Sequence, residues 1–327
     1  MRRIILTAIF LCALAACSAQ QPAPPLAASQ ALHFELATPE QGASVLSARD
    51  EFMNALTPGE LSIRLQRNDA GANVEALGQF YAANVRSWSA PERARLEAMA
   101  GRLAPRLAPL ADWLPETILI AKISPEVESG ASAFTRGAAI FIGGEGLPDA
   151  DATLDGLILH ETFHVLSRAN PERRDALYGV IGFQRCASMD LPAELRERMF
   201  TNPDAPSVDH AAPISPNDAA LMATPLLLAN PTRYDPAHPR MFDYLRVEVT
   251  PLRRDSAGRC TLATGVTQSQ DELTEAIYLR TGRNTGYLFH PEELMADNFA
   301  QMLSARADAP NPEVYDRLAA VLGIARP

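Results

Sequence analysis

The sequence predicts an α+β fold, and three observations carry that prediction. Between Ala43 and Leu107 apolar residues recur at three- and four-residue intervals, the period of a helix with one buried face. Thr117–Ile123 and Ala133–Ile142 are short runs rich in β-branched and aromatic residues, the pattern of strands. Leu157–Leu166 is an apolar stretch whose only formal charge is Glu161, and it reads as a buried helix. Together these give a small sheet next to a buried helix, preceded by a helical N-terminal part.

Taken in order, residues 1–16 read as an export signal. Arg2 and Arg3 form a positive n-region, and Ile4–Ala16 is apolar but too short for a comfortable membrane span. Leu14-Ala15-Ala16-Cys17 resembles a bacterial lipobox, which implies cleavage before Cys17, lipidation of that cysteine and attachment to the membrane through the lipid. Cleavage after Ala19 is the alternative and gives a soluble periplasmic or secreted protein. Ser18 points, by analogy with enteric bacteria, to the outer membrane, with the folded part facing the periplasm. Residues 17–37 read as a flexible tether, rich in Ala, Pro and Gln.

Residues 38–112 predict helices over Ala43–Leu56, Gly59–Gln66, Val74–Val85 and Ala90–Leu107, serving as a scaffold or as an arm over a cleft. Residues 113–327 form the main domain. Its first strand is Thr117–Ile123, and Ala133–Ile142 reads as a second, ended by Gly143-Gly144. The buried helix follows, with Asp151, Thr153 and Asp155 as N-terminal capping residues and Asn170-Pro171 as its stop. Residues 169–290 read as an irregular, Pro-rich insertion with strand-like pieces at Ala220–Leu228 and Asp243–Pro251. Pro291 suits the first turn of a helix running to Ala305, and Pro312–Ile324 looks like a final packing helix.

With Cys12 in the signal and Cys17 lipidated, Cys186 and Cys260 remain. In an oxidising compartment the pair predicts a disulfide, two buried thiols being the alternative. A formal net charge of −10, without any basic run, excludes a nucleic-acid partner.

The chemistry concentrates at His160-Glu161-Thr162-Phe163-His164. Residues four apart on a helix share a face, so both imidazoles can reach one metal ion, while Glu161 stands beside them where a general base belongs. A catalytic zinc site needs a third protein ligand. Glu293 is the candidate, with Asp297 one turn later placed to orient a ligand histidine; Glu272 and Glu275 are its rivals. Donors for a developing oxyanion are Tyr287 first, then His290, Tyr234 and His238.

Glu293-Leu294-Met295-Ala296-Asp297 after His-Glu-x-x-His resembles the motif pair of the gluzincin metallopeptidases, the clan that includes thermolysin. The resemblance covers two short helices. It implies a zincin-like sheet whose edge strand packs on the active-site helix, with His160, His164 and Glu293 as zinc ligands. It further implies Glu161 as general base, Asp297 as support, and Ala131–Gly137 as the segment lining a cleft for an extended peptide or protein substrate. The interval from Val165 to Glu292 is much longer than in thermolysin-like enzymes. The expected function is an envelope-anchored zinc metallopeptidase; the alternative is a non-catalytic lipoprotein that uses the fold for binding or assembly.

Overall fold

A computed structural model describes residues 32–144 and 146–327. The expected signal peptide, the expected lipidation site Cys17 and the expected tether up to residue 31 lie outside the described residues. The fold is α+β with two sheets.

The first half runs β1 (His33–Leu36), α1 (Pro39–Ser47), α2 (Glu51–Ala55), α3 (Pro58–Arg64), α4 (Val74–Ala83), β2 (Val85–Arg86), α5 (Ala90–Leu107), β3 (Thr117–Ile123), β4 (Ala133–Arg136), β5 (Ala139–Ile142) and α6 (Asp151–Ala169). Thr38, Thr57 and Ser89 each start a helix with a reciprocal capping box to Gln41, Glu60 and Glu92, and each is followed by a proline in the first turn.

Three expectations are corrected here. His33–Leu36 is a strand, not tether, because Leu32, Phe34 and Leu36 alternate with polar residues and pack against the main core. Ala43–Leu56 is two helices: Ala48 is extended, and the Asp50 carboxylate caps α2 by accepting from Met53 N–H. Ala133–Ile142 is a tight hairpin, since Gly137 turns the chain at φ +57°.

In the first sheet β3 is central, with β1 and β5 parallel to it on opposite sides. β2 extends the β1 side, and β4 lies antiparallel to β5 at the free edge. The period of two is legible in the packing. Ile118, Ile120, Ile140 and Ile142 join α5 and α6 on one face, while Ala121, Ile123, Ala139 and Phe141 join the small N-terminal helices on the other. Helix α6 therefore sits in the main core, as its apolar sequence requires. Its N-terminus has no side-chain cap; Arg102 of α5 instead takes Asp155 in a two-pronged pair and reaches Asp151.

The second half runs α7 (Arg174–Gly179), β6 (Gln184–Arg185), β7 (Ser188–Asp190), α8 (Ala193–Arg198), β8 (His210–Pro213), β9 (Leu221–Ala229), β10 (Leu245–Arg254), β11 (Arg259–Leu262), α9 (Gln270–Thr281), α10 (Pro291–Leu303) and α11 (Glu313–Leu322). The expected irregular insertion is instead a second sheet, ordered β6-β8-β9-β10-β11-β7. Its spine is the antiparallel pair β9–β10, which pairs Pro225 with Val249 and Pro251 with Ala223. Prolines inside strands are what hide it from a reading of sequence. Cys186 and Cys260 are bonded, at a Cα–Cα distance of 5.7 Å, within the core of this sheet. Helix α10 returns to pack along α6, and that contact assembles the site.

Candidate metal centre

His160 and His164 lie one turn apart on α6, their ring centroids 4.8 Å apart. Glu293, in the first turn of α10, brings Oε2 to 3.1 Å from His160 Nε2 and 3.6 Å from His164 Nε2. The three ligand atoms fall within 4.8 Å of one another, close enough to share one ion. The rivals lie elsewhere: Glu272 closes the capping box of α9 with Ser269, and Glu275 pairs with Arg283 on the surface.

The outer ring nitrogens have partners of their own. His160 Nδ1 is 2.9 Å from Asp297 Oδ1, and Thr285 Oγ1 donates to the other oxygen of Asp297. His164 Nδ1 is 3.1 Å from Glu292 Oε1, whose Oε2 accepts from Ser167 Oγ (2.8 Å) and Tyr178 OH (2.5 Å). A carboxylate behind each imidazole fixes Nδ1 as the donor and turns the Nε2 lone pair inward. The carboxylate behind His160 is foreseen from sequence; Glu292 is not. Two adjacent glutamates thus divide the work, Glu293 facing into the site and Glu292 supporting it from behind.

Electrostatics follow the geometry. Burial opposes charge on His160, but its bonds to Asp297 and Glu293 outweigh it and push the ring up to about 10. His164 is likewise raised, against its burial, by the fields of Asp204 and Glu293 and by its bond to Glu292. Glu161 is pushed up to about 8, mainly by burial and then by Asp204, against the pull of both histidines. Protons and a metal ion compete for the same ring nitrogens here.

Among the described residues, His164 Nε2 and Glu161 Oε2 are buried without a hydrogen-bond partner. Such orphaned groups are rare and costly in a folded protein. A cation between the two imidazoles and Glu293 satisfies the first, and Glu161 stands next to it without being needed as a ligand, so the residues present fit a bound metal ion.

The site opens into a cleft of about 1120 Å³, lined among others by Ala131, Ala133, His160, Glu161, Tyr287 and Arg306. Residues 131–133 line the cleft beside His160, whereas residues 134–137 of the expected substrate-lining segment do not line it. Tyr287 stands on the rim, 41% exposed, with its ring 6.1 Å from that of His160 and edge-on to Phe289. Burial and the nearby carboxylates raise its pKa, so the phenol keeps its proton.

The remaining oxyanion candidates do not join it. His290 is buried as the N-cap of α10, Nδ1 accepting from Glu292 N–H and Nε2 lying 3.1 Å from the Ser207 carbonyl; burial lowers it to about 4. Tyr234 is tied by its backbone to Ser62 and Asn68, and His238 lies on an exposed turn.

Sequence reasoning also missed residues 200–204. Asn202 Nδ2 donates to Glu293 Oε1 at 2.5 Å, and a carboxylate oxygen of Asp204 comes within 4.8 Å of ligand atoms on Glu161 and His164. Their only signal in sequence is a pair of polar side chains flanking Pro203, which any turn provides.

Comparison with protein-family models, curated proteins and solved structures finds no match to this chain.

Proposed function

We propose that the chain is a zinc-dependent metallopeptidase of gluzincin type, acting in the bacterial envelope and held to the membrane through lipid on Cys17. The observation that carries the reading is the convergence of His160, His164 and Glu293 within 4.8 Å beside the unbonded Glu161 carboxylate. Two imidazoles and one carboxylate are the donor set of zinc hydrolases. Zinc in this position would supply Lewis acidity toward water and the scissile carbonyl.

The remaining work belongs to side chains. Glu161 takes a proton from the attacking water and passes it to the leaving nitrogen, a transfer for which a carboxylate beside the metal ligands is placed. Tyr287, protonated and on the rim, donates to the oxyanion as the carbonyl turns tetrahedral. Asp297 and Glu292 hold the two imidazoles in register. An extended peptide pairs with the edge of the zincin-like sheet along Ala131–Ala133.

The test is zinc stoichiometry of the mature chain purified without chelator, beside Glu293→Ala. The expected result is about one zinc per chain, with much weaker retention in the variant. No zinc in the wild type, even after it is supplied, removes the peptidase reading and leaves a non-catalytic binding or assembly protein.

A further inference from the structure

Residues 200–204 line a small pocket next to the cleft, and they are firmly held. Thr201 N–H donates to Glu60 Oε1 (2.5 Å), and its carbonyl accepts from Arg64 Nη2 (2.7 Å). Arg168 Nη2 donates to the carbonyls of Pro203 (3.3 Å) and Asp204 (3.1 Å). Asp204 Oδ1 accepts from both the N–H and the hydroxyl of Thr135, each at 2.6 Å. A peptide adding to the outer edge of β4 needs that N–H. With Asp204 in place the pairing stops at Ala133, while the cleft continues freely past Ala131 in the other direction.

Distance then limits what fits against this wall. A carboxylate oxygen of Asp204 is within 4.8 Å of both the Glu161 oxygen and a His164 nitrogen. In one amino-acid residue the amino nitrogen and the carbonyl carbon are about 2.5 Å apart. An ammonium–carboxylate bond adds about 2.8 Å. One residue therefore spans from Asp204 to a carbonyl beside Glu161, whereas a second would lengthen that reach by about 3.5 Å. Next to that position opens a small, mostly apolar pocket of about 100 Å³, walled by Phe134, Leu227, Met241, Phe242, Leu245 and Phe289, with Arg64, Glu128, Asn202 and Asp204 also on its lining. It shares Ala131, Ala133 and Tyr287 with the main cleft. Glu161, whose buried Oε2 has no hydrogen-bond partner, lines the main cleft.

We propose that Asp204 binds the free α-ammonium of a peptide's first residue, making the enzyme an aminopeptidase that receives an apolar side chain in the adjoining pocket. This rests on the peptidase reading above. The first peptide bond is the one broken: the oxygen of water joins the carbonyl carbon, and Glu161 carries the proton to the departing nitrogen. One apolar amino acid and a peptide shortened by one residue leave.

The experiment compares leucine 4-nitroanilide with its N-acetyl form on the mature, zinc-loaded chain. The free-amino substrate should be cleaved with kcat/KM about 100-fold higher, the scale of losing one partner of a sequestered ion pair. Asp204→Asn keeps an oxygen for Thr135 and removes the charge. It should erase most of that preference through KM while zinc content and thermal midpoint stay unchanged. In metal-free protein, calorimetry should show leucinamide binding, N-acetyl-leucinamide not binding, and neither binding to Asp204→Asn. Equal cleavage of the two substrates, or faster cleavage of blocked peptides by the variant, overturns the proposal and makes Asp204 a plug. Zinc bound with neither substrate cleaved refutes the peptidase reading instead, and the amide binding pair then decides separately whether Asp204 holds an amine.

Discussion

Replacing Glu292 by Gln removes a charge without removing a side chain, and the structure says what that does. Glu292 is 2% exposed and accepts from three groups, the His164 ring, the Ser167 hydroxyl and the Tyr178 phenol. A glutamine offers one oxygen and one NH2 in the same volume. With its NH2 toward His164, Nδ1 must become the acceptor, the proton moves to Nε2, and the lone pair aimed into the site is lost. With its oxygen toward His164, the two hydroxyls face a donor and lose their shared acceptor. Either way a ligand histidine loses support, which costs 10- to 100-fold in metal affinity, about 1.4–2.7 kcal/mol. Without metal, weakening charge-assisted bonds costs about 2 kcal/mol, or a thermal midpoint roughly 4–8 °C lower for a domain of this size. Competition against a chromophoric zinc chelator measures the first, and thermal unfolding with EDTA measures the second. Zinc affinity within twofold of wild type would show that Glu292 does not orient His164, whatever its distance from the ring.

Further outcomes are expected. Glu161→Gln should retain zinc and lose about 10²- to 10⁴-fold in kcat, and an unchanged rate in steady-state assays would remove Glu161 from the mechanism. Reducing Cys186–Cys260, or replacing both cysteines by serine, releases a loop closed over a separation of 74 residues and should cost up to about 4 kcal/mol in urea melts; an unchanged midpoint would place the bond outside the cooperative unit. Arg64→Met leaves Glu128 buried without its cation and should cost about 3–5 kcal/mol, again by urea unfolding. Glu92 is depressed to about 2: burial opposes this, but bonds to Lys122 (2.6 Å) and Ser89 prevail. A depressed carboxylate stabilises the fold above its unfolded value of about 4.3 and loses that contribution as pH falls toward 2. The pair is partly solvated, so the loss should be only about 1 kcal/mol. Glu92→Gln should flatten the stability profile between about pH 4.3 and 2, and a wild-type slope in the variant would assign it to other carboxylates.

How much of this is legible in the sequence depends on how local each feature is. His160, Glu161 and His164 are legible because four residues on a helix define a face without help from the rest of the chain. Helices α5 and α6 and strand β3 are legible because their periods are long or their composition unmixed. Glu293 needs a second helix to arrive, and only the acidic spacing to Asp297 hints at it. Glu292 is not legible: which of two neighbouring carboxylates faces Nε2 and which Nδ1 depends on the rotation of α10 against α6. Asp204 carries no local signal, since its position is set by Thr135 on β4 and Arg168 on α6, with Glu60 and Arg64 of α3 holding the neighbouring Thr201. Strand β1 escapes notice because only four alternating residues follow a low-complexity stretch.

That strand has a consequence for how the molecule comes to exist. His33 pairs with Thr117, so the first strand to leave the ribosome has no partner until four helices, β2 and α5 have followed it. A chain that emerges amino end first must carry Phe34 and Leu36 uncovered through that interval, with the ends of a long loop still to be brought together. The sheet that bears the cleft edge therefore closes late, and the N-terminal helices become stable in its company rather than ahead of it. Hydrogen exchange pulsed during refolding should find β1 among the last strands to gain protection.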